Sequence, residues 1–133
     1  MAETARKIQF VGSAETNPET KPFFDGASAG KLMVRRCTSC KKVHHYPREL
    51  CPFCFGACAW EQASGKGTIY TFSVMERANP PYAIGYVTLA EGPKVLTNFV
   101  ECDFKALKIG QPVKVAFAKT EGDGPSMPVF TPA

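Results

Sequence analysis

The pattern of apolar and polar positions changes near Gly65. Before it, hydrophobic residues come in short isolated groups, and beyond it they recur with β-type alternation between turn signals. Residues 1–19 are polar with little periodicity and read as a flexible arm. Residues 20–30 predict a short helix. Thr20 caps it, Pro22 fits the first turn where a missing N–H costs nothing, and Gly30 supplies the left-handed stop. Phe23 and Phe24 are too large for so short a helix to bury, so it must dock on another surface, in this chain or in a partner. Residues 32–36 alternate and predict a strand.

The second half predicts strands at 68–75, 82–89, 94–100, 112–119 and 127–130, with Val113, Val115 and Phe117 on one face. Asn79-Pro80-Pro81 and Glu91-Gly92-Pro93 are turn signals, and residues 103–109 predict a helical turn closed by Gly110. Strands of this length with one helical insert predict a mainly β protein whose second half is a five-stranded barrel of the oligonucleotide/oligosaccharide-binding (OB) type, a sandwich being the alternative. The expected organisation is arm 1–19, short helix 20–30, zinc ribbon 31–64 and barrel 65–133.

The ribbon follows from cysteines. Cys37-Thr-Ser-Cys40 and Cys51-Pro-Phe-Cys54 are separated by ten residues, a spacing that aims four thiolates at one point. One structural zinc per chain is the expected occupant, against paired disulfides or iron. Four sulfurs leave no open position for water, so this metal holds structure and any chemistry lies elsewhere. His44 and His45 then need not ligate and are expected as exposed imidazoles beside the site. Cys58 and Cys102 lack metal spacing and read as buried free thiols. Trp60 is expected to pack where ribbon meets barrel. The reduced thiols, the lack of a leader-like apolar core near Met1 and the absence of a membrane-length apolar run predict a soluble cytoplasmic chain.

Charge sharpens the picture. The 133 residues carry a formal +4, and all of the excess precedes Gly67: ten Lys/Arg against six Asp/Glu up to Lys66, then six against six. Residues 31–48 hold Lys31, Arg35, Arg36, Lys41, Lys42 and Arg48 with no carboxylate. Such a stretch either receives an anionic ligand or solvates a metal knuckle carrying negative charge. Glu91, Glu101 and Asp103 form no recognisable acid/base pair, and the sequence shows neither a Ser/His/Asp order nor a phosphate-cradling loop, so the expectation is a non-catalytic chain.

Pro22-Phe23-Phe24, Gly30-Lys-Leu32, Arg36-Cys37-x-x-Cys40, Tyr46-Pro47-Arg48 and Cys51-Pro52-x-Cys54 occur in that order. Ser64-Gly-Lys-Gly-Thr68, Pro80-Pro81-Tyr82-Ala83, Val87-Thr-Leu89, Lys108-Ile-Gly110-Gln-Pro112-Val and Pro128-Val-Phe130-x-Pro132 follow. Over residues 22–132 the chain thereby resembles the acyl-CoA-associated OB-fold proteins with an N-terminal rubredoxin-like zinc ribbon. That resemblance implies an accessory subunit of a thiolase-fold enzyme, be it thiolase, acyltransferase or aldolase, which completes or gates an acyl-CoA site in a hetero-oligomer. It implies CoA or an acyl-CoA as ligand of the complex. Lys41, Lys42, Tyr46, Arg48 and Lys66 are the candidate CoA contacts, an Arg gripping phosphate while an aromatic stacks on adenine; Tyr46 as core filler is the alternative. Phe23, Phe24 and the tail from Met127 to Phe130 would supply exposed apolar surface for association. One departure from the family pattern is that glycine, common after each Cys-x-x-Cys, is replaced by Lys41 and Phe55.

Two other classes compete. A single-stranded nucleic-acid-binding OB protein would stack bases on Tyr70, Phe72, Tyr86 and Phe99, yet its groove should be basic, and the barrel half is neutral. A rubredoxin-type electron carrier would hold iron and be red.

Overall fold

The computed structural model describes residues 17–120 and 124–133, so the expected arm lies outside the described residues except for 17–19. Helix α1 spans Lys21–Ser28 with Pro22 in its first turn. Its C-terminus closes as the sequence predicts. Gly30 takes φ 78°, its amide donates to Ala27 O, and the Lys31 amide donates to Gly26 O, which is the paired closure that satisfies orphan carbonyls. The N-terminus differs from expectation: the Thr20 side chain makes no capping bond, and only its carbonyl accepts, from the Phe23 and Phe24 amides.

Three strands form the first sheet, β1 (Met33–Cys37), β2 (Val43–His44) and β3 (Cys58–Gln62), in the order β2-β1-β3 with antiparallel pairing. The sequence pattern revealed only β1. Strands β4 (Lys66–Met75), β5 (Tyr82–Leu89), β6 (Lys94–Phe99), β7 (Pro112–Ala118) and β8 (Met127–Pro132) close a barrel in the order β4-β5-β6-β8-β7. The predicted helical turn is a short 3₁₀ segment, Phe104–Ala106, capped by the Asp103 carboxylate on the Lys105 amide.

Two local devices let five strands close. Tyr70 is the extra residue of a bulge in β4, where the register against β5 passes from Ile69–Val87 to Thr71–Tyr86. With that bend β4 pairs with β5 from Gly67 to Met75 along one edge and with β7 at Lys66 to Thr68 along the other. At Gly85 a Cβ would collide with the Thr71 carbonyl, so only glycine permits β4 and β5 to approach this closely.

One hydrophobic cluster runs through the molecule, from Phe23, Phe24, Leu32 and Val34 through Ala63 to Ile69, Val87, Phe99 and Phe130. Phe23 and Phe24 are only 4% and 7% exposed, because α1 docks on β1 and β8 of its own chain. The tail is likewise internal, with Pro128, Val129 and Phe130 buried in β8. Neither segment is the free apolar surface that the sequence suggested. Strand β1 of the ribbon and strand β8 of the barrel together supply the surface against which those aromatics dock.

Candidate metal centre and adjoining groove

Cys37 and Cys51 start two knuckles built alike. In the first, Cys37 N donates to Lys42 O and Lys41 N to Cys37 O; in the second, Cys51 N donates to Gly56 O and Phe55 N to Cys51 O. Each turn needs a left-handed residue at its fourth position after the first cysteine, and Lys41 (φ 67°) and Phe55 (φ 61°) adopt it without being glycine. The knuckle geometry thus survives the departure from the family pattern. The four sulfurs lie within 4.8 Å of one another, with Cys37 to Cys54 at 3.5 Å and Cys40 to Cys51 at 3.6 Å.

Amides aimed at sulfur favour the thiolate. Cys37 Sγ accepts from the Cys40 and Ser39 amides at 3.3 Å, and those bonds hold the Cys37 thiol down at about 6 despite burial. Cys51 is lowered too: burial pushes it up, but the Phe53 and Cys54 amides and the Cys40 and Cys54 sulfurs together outweigh that. A soft all-sulfur donor set of this compactness fits zinc, and it supplies structure with no open coordination position.

The neighbouring histidines are not exposed imidazoles. His44 is buried and its Nε2 accepts the Arg48 amide at 3.3 Å, while His45 lies against Phe23 with ring centres 5.5 Å apart. His44 ends β2 and points inward, while His45 and Tyr46 in the turn after it stand against Phe23 of α1. Burial lowers both pKa values, His45 to about 4. Among the described residues nothing bonds to Nδ1 of either ring. Of the two unassigned thiols, Cys102 is buried, whereas Cys58 is only half-buried and points at Gly56 O from 3.7 Å. Trp60 packs against the common core as expected.

The basic stretch is less uniform in space than in sequence. Arg35 is buried, donating to Arg48 O and Glu49 O. Arg36 forms a two-point ion pair with Glu61 (2.6 and 3.2 Å) that lowers the carboxyl's pKa. Glu19 stands 3.7 Å from Arg48 and accepts the Glu49 amide. Lys41 Nζ donates to Thr38 O at 2.7 Å, and Lys42 Nζ lies 4.9 Å from the centre of the Phe53 ring. Lys66 belongs to a different sheet, opposite Lys114 at the start of β4. Carboxylates distant in sequence therefore answer two of the cations, a relation that the local count of charges could not reveal.

Tyr46 is half exposed at a groove of about 560 Å³ between the helix and the barrel. Phe23, Phe24 and His45 line it from the helix and ribbon; Tyr86, Lys94 and Leu96 line it from β5 and β6. The groove opens where β6 and β8 separate, since the two pair only at Phe99–Phe130. Lys94 also lies 4.7 Å from the Tyr70 ring centre. Of the aromatics considered for base stacking, Tyr70 and Tyr86 are exposed, but Phe99 is core and Phe72 packs against it. No described helix is long and apolar enough to cross a membrane.

Comparison with known proteins matches both halves. The ChsH2 rubredoxin-like zinc ribbon domain corresponds to residues 24–61 and the ChsH2 C-terminal OB-fold domain to residues 60–118. A DUF35 domain-containing scaffold protein of Methanocaldococcus jannaschii is 34% identical over 101 residues, which cover 70% of this chain and 72% of the relative. A probable enoyl-CoA hydratase alpha subunit of Thermomonospora curvata is 31% identical over 124 residues, or 88% of this chain, and the match spans only 38% of that relative's length. Among solved structures, a chain of the Ltp2-ChsH2(DUF35) aldolase is similar with a TM-score of 0.77 and 29% identity, over 87% of this chain and 95% of the other. A DUF35-family protein of unknown function from Sulfolobus solfataricus shares the fold, with a TM-score of 0.66 at 15% identity over 90% of this chain and 88% of the other.

Proposed function

The chain belongs to the DUF35 scaffold proteins, which join a ChsH2-type zinc ribbon to an OB-fold domain, and from that premise we propose that it is a non-catalytic subunit of an acyl-CoA enzyme. Its partner is a thiolase-fold enzyme that carries the catalytic residues for a thiolase, acyltransferase or aldolase reaction on a CoA thioester. The observation that carries this reading is the likeness, along nearly the whole chain, to a chain of the Ltp2-ChsH2(DUF35) aldolase. The kinship with a probable enoyl-CoA hydratase subunit supports the same substrate class.

In this reading the groove beside Tyr46 lies at the mouth of the partner's active site, where the chain completes or gates access for the acyl-CoA. Tyr46 on the groove and Arg48, two residues further along the turn, keep the CoA-contact role read from sequence, and Lys94 adds a cation on the groove itself. Lys41, Lys42 and Lys66, the other candidate contacts, do not line the groove, and Lys66 lies in the barrel sheet. The test is co-expression with the thiolase-fold enzyme of the same host. A hetero-oligomer on size exclusion is expected; separate species, with the enzyme fully active alone, would overturn the reading.

A further inference from the structure

The second zinc knuckle presents three large apolar side chains to solvent: Leu50 is 52% exposed, Phe53 58% and Phe55 77%. Phe55 is the most telling of them. It occupies a left-handed turn position that glycine would fill without strain, and its exposed ring gains little from burial in return. The chain thus holds an aromatic where its own fold is better served by glycine, and strain retained at an exposed position points to a task outside the fold. At the equivalent place in the first knuckle stands Lys41, whose ammonium bonds to Thr38 O, so the apolar exposure is confined to one knuckle.

Charge says what kind of surface fits. Lys41 and Lys42 are exposed on the neighbouring knuckle, and among the described residues neither is in an ion pair with a carboxylate. Lys42 lies over the Phe53 ring, which puts a cation at the edge of the apolar patch. Zinc with four thiolates would carry −2 and cancel these two lysines, and Glu49 is exposed beside Leu50. An anionic bilayer, which responds to net positive charge, is therefore a poor match. A protein socket reads each charge at contact distance and is a good one.

We infer that the second knuckle is a docking prong, which seats Leu50, Phe53 and Phe55 in an apolar socket of the partner enzyme, with the partner's carboxylates facing Lys41 and Lys42. The inference rests on the accessory-subunit reading above and adds the surface that makes the contact. The Phe53 amide on Cys51 Sγ and the backbone bonds Cys51 N to Gly56 O and Phe55 N to Cys51 O hold the prong's backbone, and bound zinc would fix it further, so little conformational freedom is lost on docking.

The experiment uses the full zinc-loaded chain and the host's thiolase-fold enzyme, with affinity, zinc content and melting temperature measured for Phe55→Gly, Leu50→Ser, Lys42→Glu and, on the groove, Leu96→Ser. Phe55→Gly should keep one zinc, melt a few degrees higher, and bind the enzyme roughly tenfold or more weakly. A more stable chain that binds less well is a signature that a purely structural role cannot give. Leu50→Ser should weaken binding without loss of zinc, and Lys42→Glu chiefly by slowing association. Unchanged affinity in Phe55→Gly and Leu50→Ser, with loss confined to Leu96→Ser, would overturn the prong and leave the partnership standing. A wild-type chain that does not bind the enzyme removes the partnership and the prong together. Wild-type sedimentation with phosphatidylserine vesicles, or self-association, that Phe55→Gly abolishes while enzyme affinity is unchanged would reassign the prong and overturn the inference.

Discussion

Arg35 and Trp60 face each other across β1 and β3, and the Arg35 guanidinium carbon lies 5.0 Å from the centre of the Trp60 ring. The same guanidinium donates to the carbonyls of Arg48 and Glu49, so one buried cation joins the inter-knuckle turn to the sheet that meets the barrel. Arg35→Ala should destabilise the chain by about 2–4 kcal/mol, because it leaves carbonyls without donors and uncovers an indole face. Arg35→Lys should recover only part, since an ammonium cannot stack flat and reach both carbonyls. Denaturant unfolding of the two variants measures the difference.

Zinc removal should unfold more than the ribbon. Phe23, Phe24, Leu32 and Val34 belong to the same cluster as the barrel residues Ile69, Val87 and Phe130, so loosening the ribbon opens the barrel's core. Structural zinc supplies an apparent ~10–16 kcal/mol in small zinc-finger peptides, comparable to the whole stability of a typical domain at about 5–15 kcal/mol. Chelation, or Cys37→Ser, should abolish stoichiometric zinc and lower the melting of both halves in one transition. A barrel that melts unchanged after chelation would show the two to be independent.

Acid sensitivity follows from His45. Burial holds its folded pKa at about 4, against about 6.5 for a free imidazole, so the folded chain binds fewer protons than the unfolded one between those values. Its contribution is therefore fully present above pH 6.5 and is lost as the pH falls toward 4. His44, lowered for the same reason, acts with the same sign. Between pH 7 and 5 the His45 share is about 2 kcal/mol. Unfolding measured at both pH values for wild type and His45→Phe should show a shallower loss in the variant. Thiolate protonation is common to both proteins and cancels in the comparison, so equal losses would contradict the assignment.

What was legible in the sequence was local. The two Cys-x-x-Cys pairs declare themselves because their hydrogen bonds span only five residues, and Gly30 marks the end of α1 for the same reason. Strand Tyr82–Leu89 falls where its alternation predicts, since one face is core and the other is not. Features set by distant partners were hidden. Nothing near Phe23 and Phe24 says that β8 will cover them, and β3 escapes notice because none of its residues is fully buried. His44 is polar by composition but internal by position. The groove gathers residues from α1, the inter-knuckle turn, β5, β6 and β8, so no window of sequence contains it.

If this chain completes the acyl-CoA site of a thiolase-fold enzyme, as proposed, turnover of a CoA thioester by that enzyme as the chain is titrated in is the most direct measurement. Turnover should rise and saturate at a fixed stoichiometry. Arg48→Glu and Lys94→Glu should raise KM by roughly 5- to 100-fold with little change in kcat, as expected when charge-assisted contacts remote from the reacting carbon are lost. Turnover that is indifferent to the added chain, at concentrations where the two proteins form a complex, would contradict the account.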